Sequence, residues 1–325
     1  MKEEKHNELT KPKRILVLYY SQTGQLTNAV RSMLSPLRNH PNIQIDWRDL
    51  QPIKPYPYPW SLLKFLNVFP ESVLMIPPEM KPLNFEPDSH YDLVILAYQV
   101  WFLSPSLPVT GFLKSLDAKV LKGKPVITMI VCRNMWLCAQ EKMKSLLNSL
   151  GATLIDNAVL IDQGPPWATF ITTPRWLMTG KKEGFWSIFP PAGVSQRDIS
   201  GAARFGKAIL DNLDDLEANP GKPLLSGLGA VKVNQSYIGS EKAGHRAFTL
   251  WSRLLRMAGK LGELPRRVML FVFLIYLVFM ILTFVPVGMV VRAILKPFMT
   301  TRLKKQVERL EKPSGSSIER MEQYI

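Results

Sequence analysis

Ser21, Gln22, Thr23, Gly24 and Gln25 stand between an apolar run, RILVLYY (14–20), and a stretch with helical spacing. Two hydroxyls and a glycine at a strand-to-helix junction suit an anion. The helix dipole and free backbone N–H groups attract it, the hydroxyls add hydrogen bonds, and glycine permits close approach. The same residues also suit plain N-capping, which takes no ligand. A P-loop pattern and a full G-x-G-x-x-G are both missing, so a nucleoside triphosphate or a Rossmann dinucleotide has no motif support. Other chemistry-bearing residues follow later apolar runs: Tyr98, Gln99, Val100, Trp101 and Phe102 at one, Cys132, Arg133 and Asn134 at the next, and Asp162 at the last. Tyr98, Cys132 and Asp162 are the candidates for a general base, each equally able to be structural. Arg133 and Asn134 suit bonds to carbonyls of a bound ring or substrate, with helix capping as the other role for Asn134. Trp101 and Phe102 suit the holding of a flat ring, or ordinary core packing.

The elements that must position these residues alternate strand and helix. RILVLYY reads as a strand buried on both faces. Leu26, Val30, Met33, Leu34 and Leu37 recur at helical spacing until Pro36 ends or kinks the helix. Ile43 and Ile45 mark a second strand, YDLVILAY (91–98) a third, KPVITMIVC (124–132) a fourth and TLIDNAVLI (153–161) a fifth. Helices are expected within 105–118, from Ala139 to Leu150 with Gly151 as its cap, and over 196–217. This is an α/β pattern, and its simplest architecture is a flavodoxin-like, doubly wound, five-stranded parallel sheet of order 2-1-3-4-5. Ligands of such sheets bind beyond the C-terminal strand ends, where every candidate above falls. Two long Pro- and Trp-rich insertions, 51–90 and 163–194, read as lids or binding loops, or as a cover for the sheet.

The first loop resembles that of the flavodoxin-like family, which reads Ser/Thr-x-Thr-Gly-x-Thr and binds the phosphate of FMN. Residues 21–25 match, while Leu26 stands where the last Thr would be. YQVWFLSPSLPVTGFLKSL (98–116) is similar to the family's second flavin loop, which implies that Trp101 or Phe102 stacks on or edges the isoalloxazine. A narrower resemblance rests on PYPYPWSLLKFLNVFPESV, AYQVWFLSPSLPVTGFL, VCRNMWLCAQEKMK and DQGPPWATFITTPRW. Over residues 13 to 210 the chain resembles the bacterial dialkylresorcinol condensing enzymes of dialkylresorcinol and aryl-polyene lipid biosynthesis. That label implies carbon–carbon condensation, which takes a cysteine nucleophile supported by histidines. His6, His40, His90 and His245 all fall away from the sheet edge that carries Cys132. An oxidative step fits the residues better: a flavin accepting a hydride from a dialkyl cyclohexane-1,3-dione made by a partner ketosynthase, leaving a resorcinol. A flavodoxin-like electron carrier and a non-catalytic membrane partner of the ketosynthase are the alternatives. The insertions would hold the alkyl chains of this lipidic substrate.

Charge and hydropathy separate the last third from the rest. Residues 221–325 carry 17 basic and 6 acidic side chains, against 24 and 20 in residues 1–220. A basic excess beside an apolar segment suits anionic lipid better than nucleic acid. VMLFVFLIYLVFMILTFVPVGMVV (268–291) carries no charge, and about 20 apolar residues span a bilayer. Basic residues flank it on both sides, so the positive-inside tendency favours a re-entrant hairpin bent at Pro286 and Gly288, while length favours a single span with the tail outside. The expected division is a polar tail (1–12), the sheet domain (13–220), a basic amphipathic linker (221–267), the membrane segment and a basic tail (292–325). Two cysteines without a CxxC pair exclude a disulfide framework, and no metal-ligand spacing is present. The polar N-terminus has no export signal, so the expected location is the bacterial inner membrane with the catalytic domain in the cytoplasm.

Overall fold

The computed structural model describes residues 11–85, 89–295 and 300–324; residues 1–10 of the polar tail and Lys296 of the basic flank lie outside them. The chain begins with β1 (Lys13–Tyr19), α1 (Gln25–Leu34) and β2 (Ile43–Asp49). The first insertion supplies α2 (Leu62–Asn67) and α3 (Phe69–Val73). Then come β3 (Leu93–Tyr98), a small hairpin of β4 (Val100–Trp101) and β5 (Ser104–Pro105), and α4 (Leu107–Leu113). A 3-10 turn (Leu116–Leu121) leads to β6 (Pro125–Cys132), α5 (Leu137–Ser149) and β7 (Thr153–Ile161). The second insertion carries α6 (Pro166–Thr179), followed by α7 (Gln196–Gly201), α8 (Ala203–Asn212) and α9 (Asp215–Ala218). The last third is α10 (Gln235–Ala258), α11 (Leu264–Leu295) and α12 (Thr300–Glu311).

The main sheet is parallel, with order β2-β1-β3-β6-β7. Counting only its five long strands, this is 2-1-3-4-5, the flavodoxin-like doubly wound order expected from the sequence. β3 and β6 are buried at every residue, as central parallel strands covered on both faces must be. The expected single helix over 196–217 is instead three pieces, with Gly201, a poor helix former, at the first break. α8 lies so close to α1 that a Cβ on Gly206 would sit 1.8 Å from the Met33 carbonyl oxygen.

Parts of the last third pack against the sheet domain. Leu224, Leu225, Leu228, Ala230 and Val231 are fully buried, and the Ala230 carbonyl accepts from Val159 N–H. They cover β7, an edge strand that would otherwise be open to pairing. Residues 312–324 return to the same place as a strap. Ser314 Oγ donates to Asp156 Oδ1 at 2.6 Å and accepts from Asn157 N–H at 2.7 Å, and the Arg320 guanidinium donates to the Leu224 and Ser226 carbonyls. α11 therefore leaves the sheet domain from α10 and comes back to it through α12. The chain on both sides of α11 packs against one domain.

Candidate functional site

The turn after β1 is open. Gly24 adopts φ +78°, a left-handed conformation that glycine takes without strain, and a Cβ there would meet nothing within 4 Å. No side chain caps α1 at Gly24. Of the first-turn N–H groups, those of Gln25 and Leu26 are the ones an anion could use. Ser21 Oγ accepts from Thr27 N–H at 3.4 Å, so Thr27 uses its backbone here. Ser21, Gln22 and Thr23 are half-buried. Two residues of the turn are already committed. Gln22 Nε2 donates to the Pro57 carbonyl, and Gln25 is buried between the N–H and carbonyl of Val194. Both insertions are thereby tied down on the loop.

Beside it, β4 and β5 form a two-residue hairpin whose central residues, Phe102 and Leu103, have φ of 48° and 62°. Positive φ at both positions is the type I′ geometry that matches strand twist, but Phe and Leu adopt it only under strain. The turn splits the aromatic pair. Trp101 stays at the strand ends, half-buried, with ring contacts to Tyr20, Tyr56 and Trp60 at 5.1–6.0 Å. Phe102 points away, packing on Phe65 and Phe69. Of the two, only Trp101 stands beside the open turn. Gln99 Oε1 is buried there without a hydrogen-bond partner, and Val100 is half-buried in the same strand.

Two of the three candidate bases, Tyr98 and Asp162, are held by hydrogen bonds, and the third, Cys132, is buried. Tyr98 is fully buried, and its hydroxyl donates to Gln140 Oε1 at 2.6 Å; Gln140 in turn donates to Thr128, and Thr128 to Asn157. Burial holds its pKa well above the ordinary tyrosine value. Burial likewise pushes the Cys132 thiol up, so it is a poor thiolate. Asp162 accepts from Gly164 N–H and Gly193 N–H at 2.8 and 2.6 Å, clamping the two ends of the second insertion. Arg133 lays its guanidinium 4.1 Å over Phe170 of α6, and Asn134 accepts from Met135 N–H. The helix-capping reading of Asn134 thus finds only a local partner.

One cluster carried no motif in the sequence. Glu241 of α10 is 1% exposed and accepts from Cys138 N–H at 2.6 Å, capping α5 from another helix. Its Oε2 and His245 Nε2 are buried without partners. With Cys138 and Lys142 they line a cavity of about 370 Å³ between α5, α10 and α12. Burial, with Glu241 nearby, raises the Cys138 thiol to about 12, so this Cys–His pair lacks the thiolate that ketosynthase-type condensation requires. The only sequence signal for the cluster is the i, i+4 spacing of Glu241 and His245 on one face of a helix. Among the described residues, no group of three or more His, Cys, Asp or Glu is arranged to hold a metal.

No family model and no curated protein matches the chain. Solved structures do. A flavoprotein from Lactobacillus acidophilus, determined in complex with FMN, is 17% identical over 45% of this chain and 93% of its own, with a TM-score of 0.37. An archaeal flavodoxin is 10% identical over 62% of this chain and 99% of its own, at 0.33. The flavodoxin WrbA-like protein from Agrobacterium tumefaciens is 10% identical over 62% and 98%, at 0.35. The assignment of the fold rests on the strand order itself.

Proposed function

We propose that this chain is a membrane-associated, FMN-dependent oxidoreductase that aromatises a dialkyl cyclohexane-1,3-dione supplied by a partner ketosynthase. The observation that carries the reading is the open turn at Gly24, beside Trp101 at the C-terminal edge of the sheet. Thr23, Gly24 and the first amides of α1 would hold the phosphate, and Trp101 with the unpartnered Gln99 Oε1 would meet the ring. FMN, when bound, supplies the two-electron acceptor for the hydride lost from the dione. The chain's residues bind and orient. Tyr98 and Asp162 are held in hydrogen bonds and Cys132 is buried, so the proton that leaves with the hydride, from a ring carbon beside a carbonyl, goes to water, and a second shifts from carbon to oxygen to complete the resorcinol. A 1,3-dione is acidic enough for that.

One observation favours a second reading, a non-catalytic membrane partner of the ketosynthase. Tyr56 and Trp60 pack on Trp101, and Gln22 is held by Pro57, so the first insertion covers the loop pair. The cofactor test separates the two. Detergent-solubilised protein is expected to be yellow, with a flavin absorption band, and Thr23→Glu with Gly24→Glu is expected to be colourless. A colourless native protein would leave only the second reading. A yellow protein that forms no resorcinol from a synthetic dione with any electron acceptor would be a carrier.

A further inference from the structure

α11 has two unlike faces. On the inner one, Leu270 and Phe273 are buried against α3 and α10, with the Phe273 ring stacked on Phe69 at 4.2 Å and Trp251 beside it. The near end is fixed by Arg266, whose guanidinium donates to both Glu71 carboxylate oxygens at 3.0 and 2.8 Å and to the Asn67 carbonyl. On the outer face Leu264, Val268, Phe271, Ile275, Phe279 and Leu282 are 56–72% exposed. Their spacing by threes and fours makes one stripe, about 27 Å long at 1.5 Å per residue.

The surroundings of that stripe identify its occupant. Arg253, Arg256, Lys260 and Arg267 are exposed where α10 turns into α11; Glu263 lies among them and Glu71 pairs with Arg256 at 3.8 Å, so the rim stays net positive. The same turn exposes Met257 and Leu261. A cationic rim around an apolar stripe matches a bilayer surface of anionic headgroups over acyl chains. It is a poor match to a second copy of the chain, because a two-fold contact would set like charges against each other. The chain's path fixes the orientation. The inner face of α11 is packed along α10, and the strap after it bonds to Asp156 and Asn157 in the sheet domain. A helix anchored at its side and returning to its own domain does not cross a bilayer.

We infer that α11 lies in the plane of a single leaflet of an anionic membrane, its outer stripe among the acyl chains and the rim among the phosphates. The sheet domain and the strap stay together on one side. This deepens the membrane-associated reading and rests on it. It does not depend on flavin: a colourless protein would leave it standing, and a yellow protein that ignores vesicles would end it alone.

The test uses the full chain. In flotation, it is expected to rise with phosphatidylcholine vesicles doped with phosphatidylglycerol and at least tenfold less with phosphatidylcholine alone, where the basic rim meets no anionic surface. Arg253→Glu with Arg267→Glu is expected to remove that difference, and Phe271→Glu with Ile275→Glu to abolish binding; all four side chains are exposed, so the fold is spared. For sidedness, Lys54→Cys in the sheet domain and Ile318→Cys in the strap are placed separately in a Cys138→Ser background. In membrane vesicles of known orientation, an impermeant maleimide is expected to label both from the same side. Labelling from opposite sides would overturn the inference. So would equal binding to neutral vesicles, or a soluble dimer that binds none.

Discussion

At the residue scale, Glu241 joins two jobs in one carboxylate. It caps α5 through the N–H groups of Leu137 and Cys138, and it does so out of reach of water. Burial wins over those two hydrogen bonds and pushes its pKa up to about 7 from an ordinary 4.5. A carboxylic acid that keeps its proton longer when folded is costly to ionise in place. The sign follows: between pH 4.5 and about 7 the unfolded chain has released the proton and the folded chain has not, so stability falls as pH rises through that window. The loss is on the order of 3 kcal/mol at most. Asp156, raised to about 6 by the same cause, slopes in the same direction, so the informative quantity is a difference. Urea unfolding of Glu241→Gln against the native protein is expected to give a flatter stability-pH curve between those limits. Parallel curves would show that Glu241 does not titrate there. Glu241 shows what single-sequence reading misses. A cap supplied by a helix about a hundred residues away leaves no local pattern, whereas the glycine turn at Gly24 was visible because a strand-to-helix turn is a property of five consecutive residues. Tyr98 and Asp162 stood at the right edge for catalysis, but their hydrogen bonds run to Gln140 and Gly193, which spacing does not show.

At the element scale, the sheet was legible for a simple reason: β1, β3 and β6 are continuous apolar runs because both faces are covered. The insertions were legible as insertions but not in their use. Residues 51–90 were expected to hold alkyl chains or to cover the sheet; they also build α3, the platform on which α10 and α11 sit. The ring contacts run unbroken from Phe273 through Phe69, Phe102, Phe65 and Trp60 to Trp101, at 4.2–6.0 Å. The helix proposed to meet lipid and the loop proposed to meet the flavin are thus ends of one apolar seam. Arg266 is its rivet. Arg266→Ala would leave Glu71 without its bidentate partner, at a cost of about 2 kcal/mol, since Glu71 keeps some contact with water. Faster proteolysis in the α10–α11 turn is the expected readout, and unchanged cleavage would place the anchor elsewhere. A second element-scale expectation concerns α8. Gly206→Ala drives a methyl into the Met33 carbonyl, backbone against backbone, where no side chain can yield. A loss of about 3 kcal/mol, read as a lower melting temperature, follows from overpacking of that kind. A variant as stable as the native protein would mean that α1 and α8 separate easily.

At the scale of the whole molecule, the chain closes on itself. Composition divides it into a near-neutral sheet domain and a basic, apolar remainder, and that division suggested a soluble body with a trailing anchor. The structure ties the remainder back in, because β7 is an edge strand and needs cover. Residues 224–233 lie over it, and the strap lies over them. Ser314 is where the closure is most concentrated: one hydroxyl satisfies Asp156 Oδ1 and the Asn157 amide in a site with no water access. Removing it leaves a buried carboxylate short of a donor and a buried amide short of an acceptor, which together cost about 1–3 kcal/mol. Ser314→Ala is therefore expected to lower stability by that amount. In an Asp156→Asn background, whose new amide no longer demands the same donor, it is expected to cost less. The double-mutant cycle measures the coupling. If the strap merely rests on the domain, the two changes will add. If it closes the fold, they will not, and proteolysis of Ser314→Ala will begin in residues 312–324 while any bound flavin stays in place. That order of failure, strap before sheet, is what a molecule whose chain is held on both sides of α11 must show.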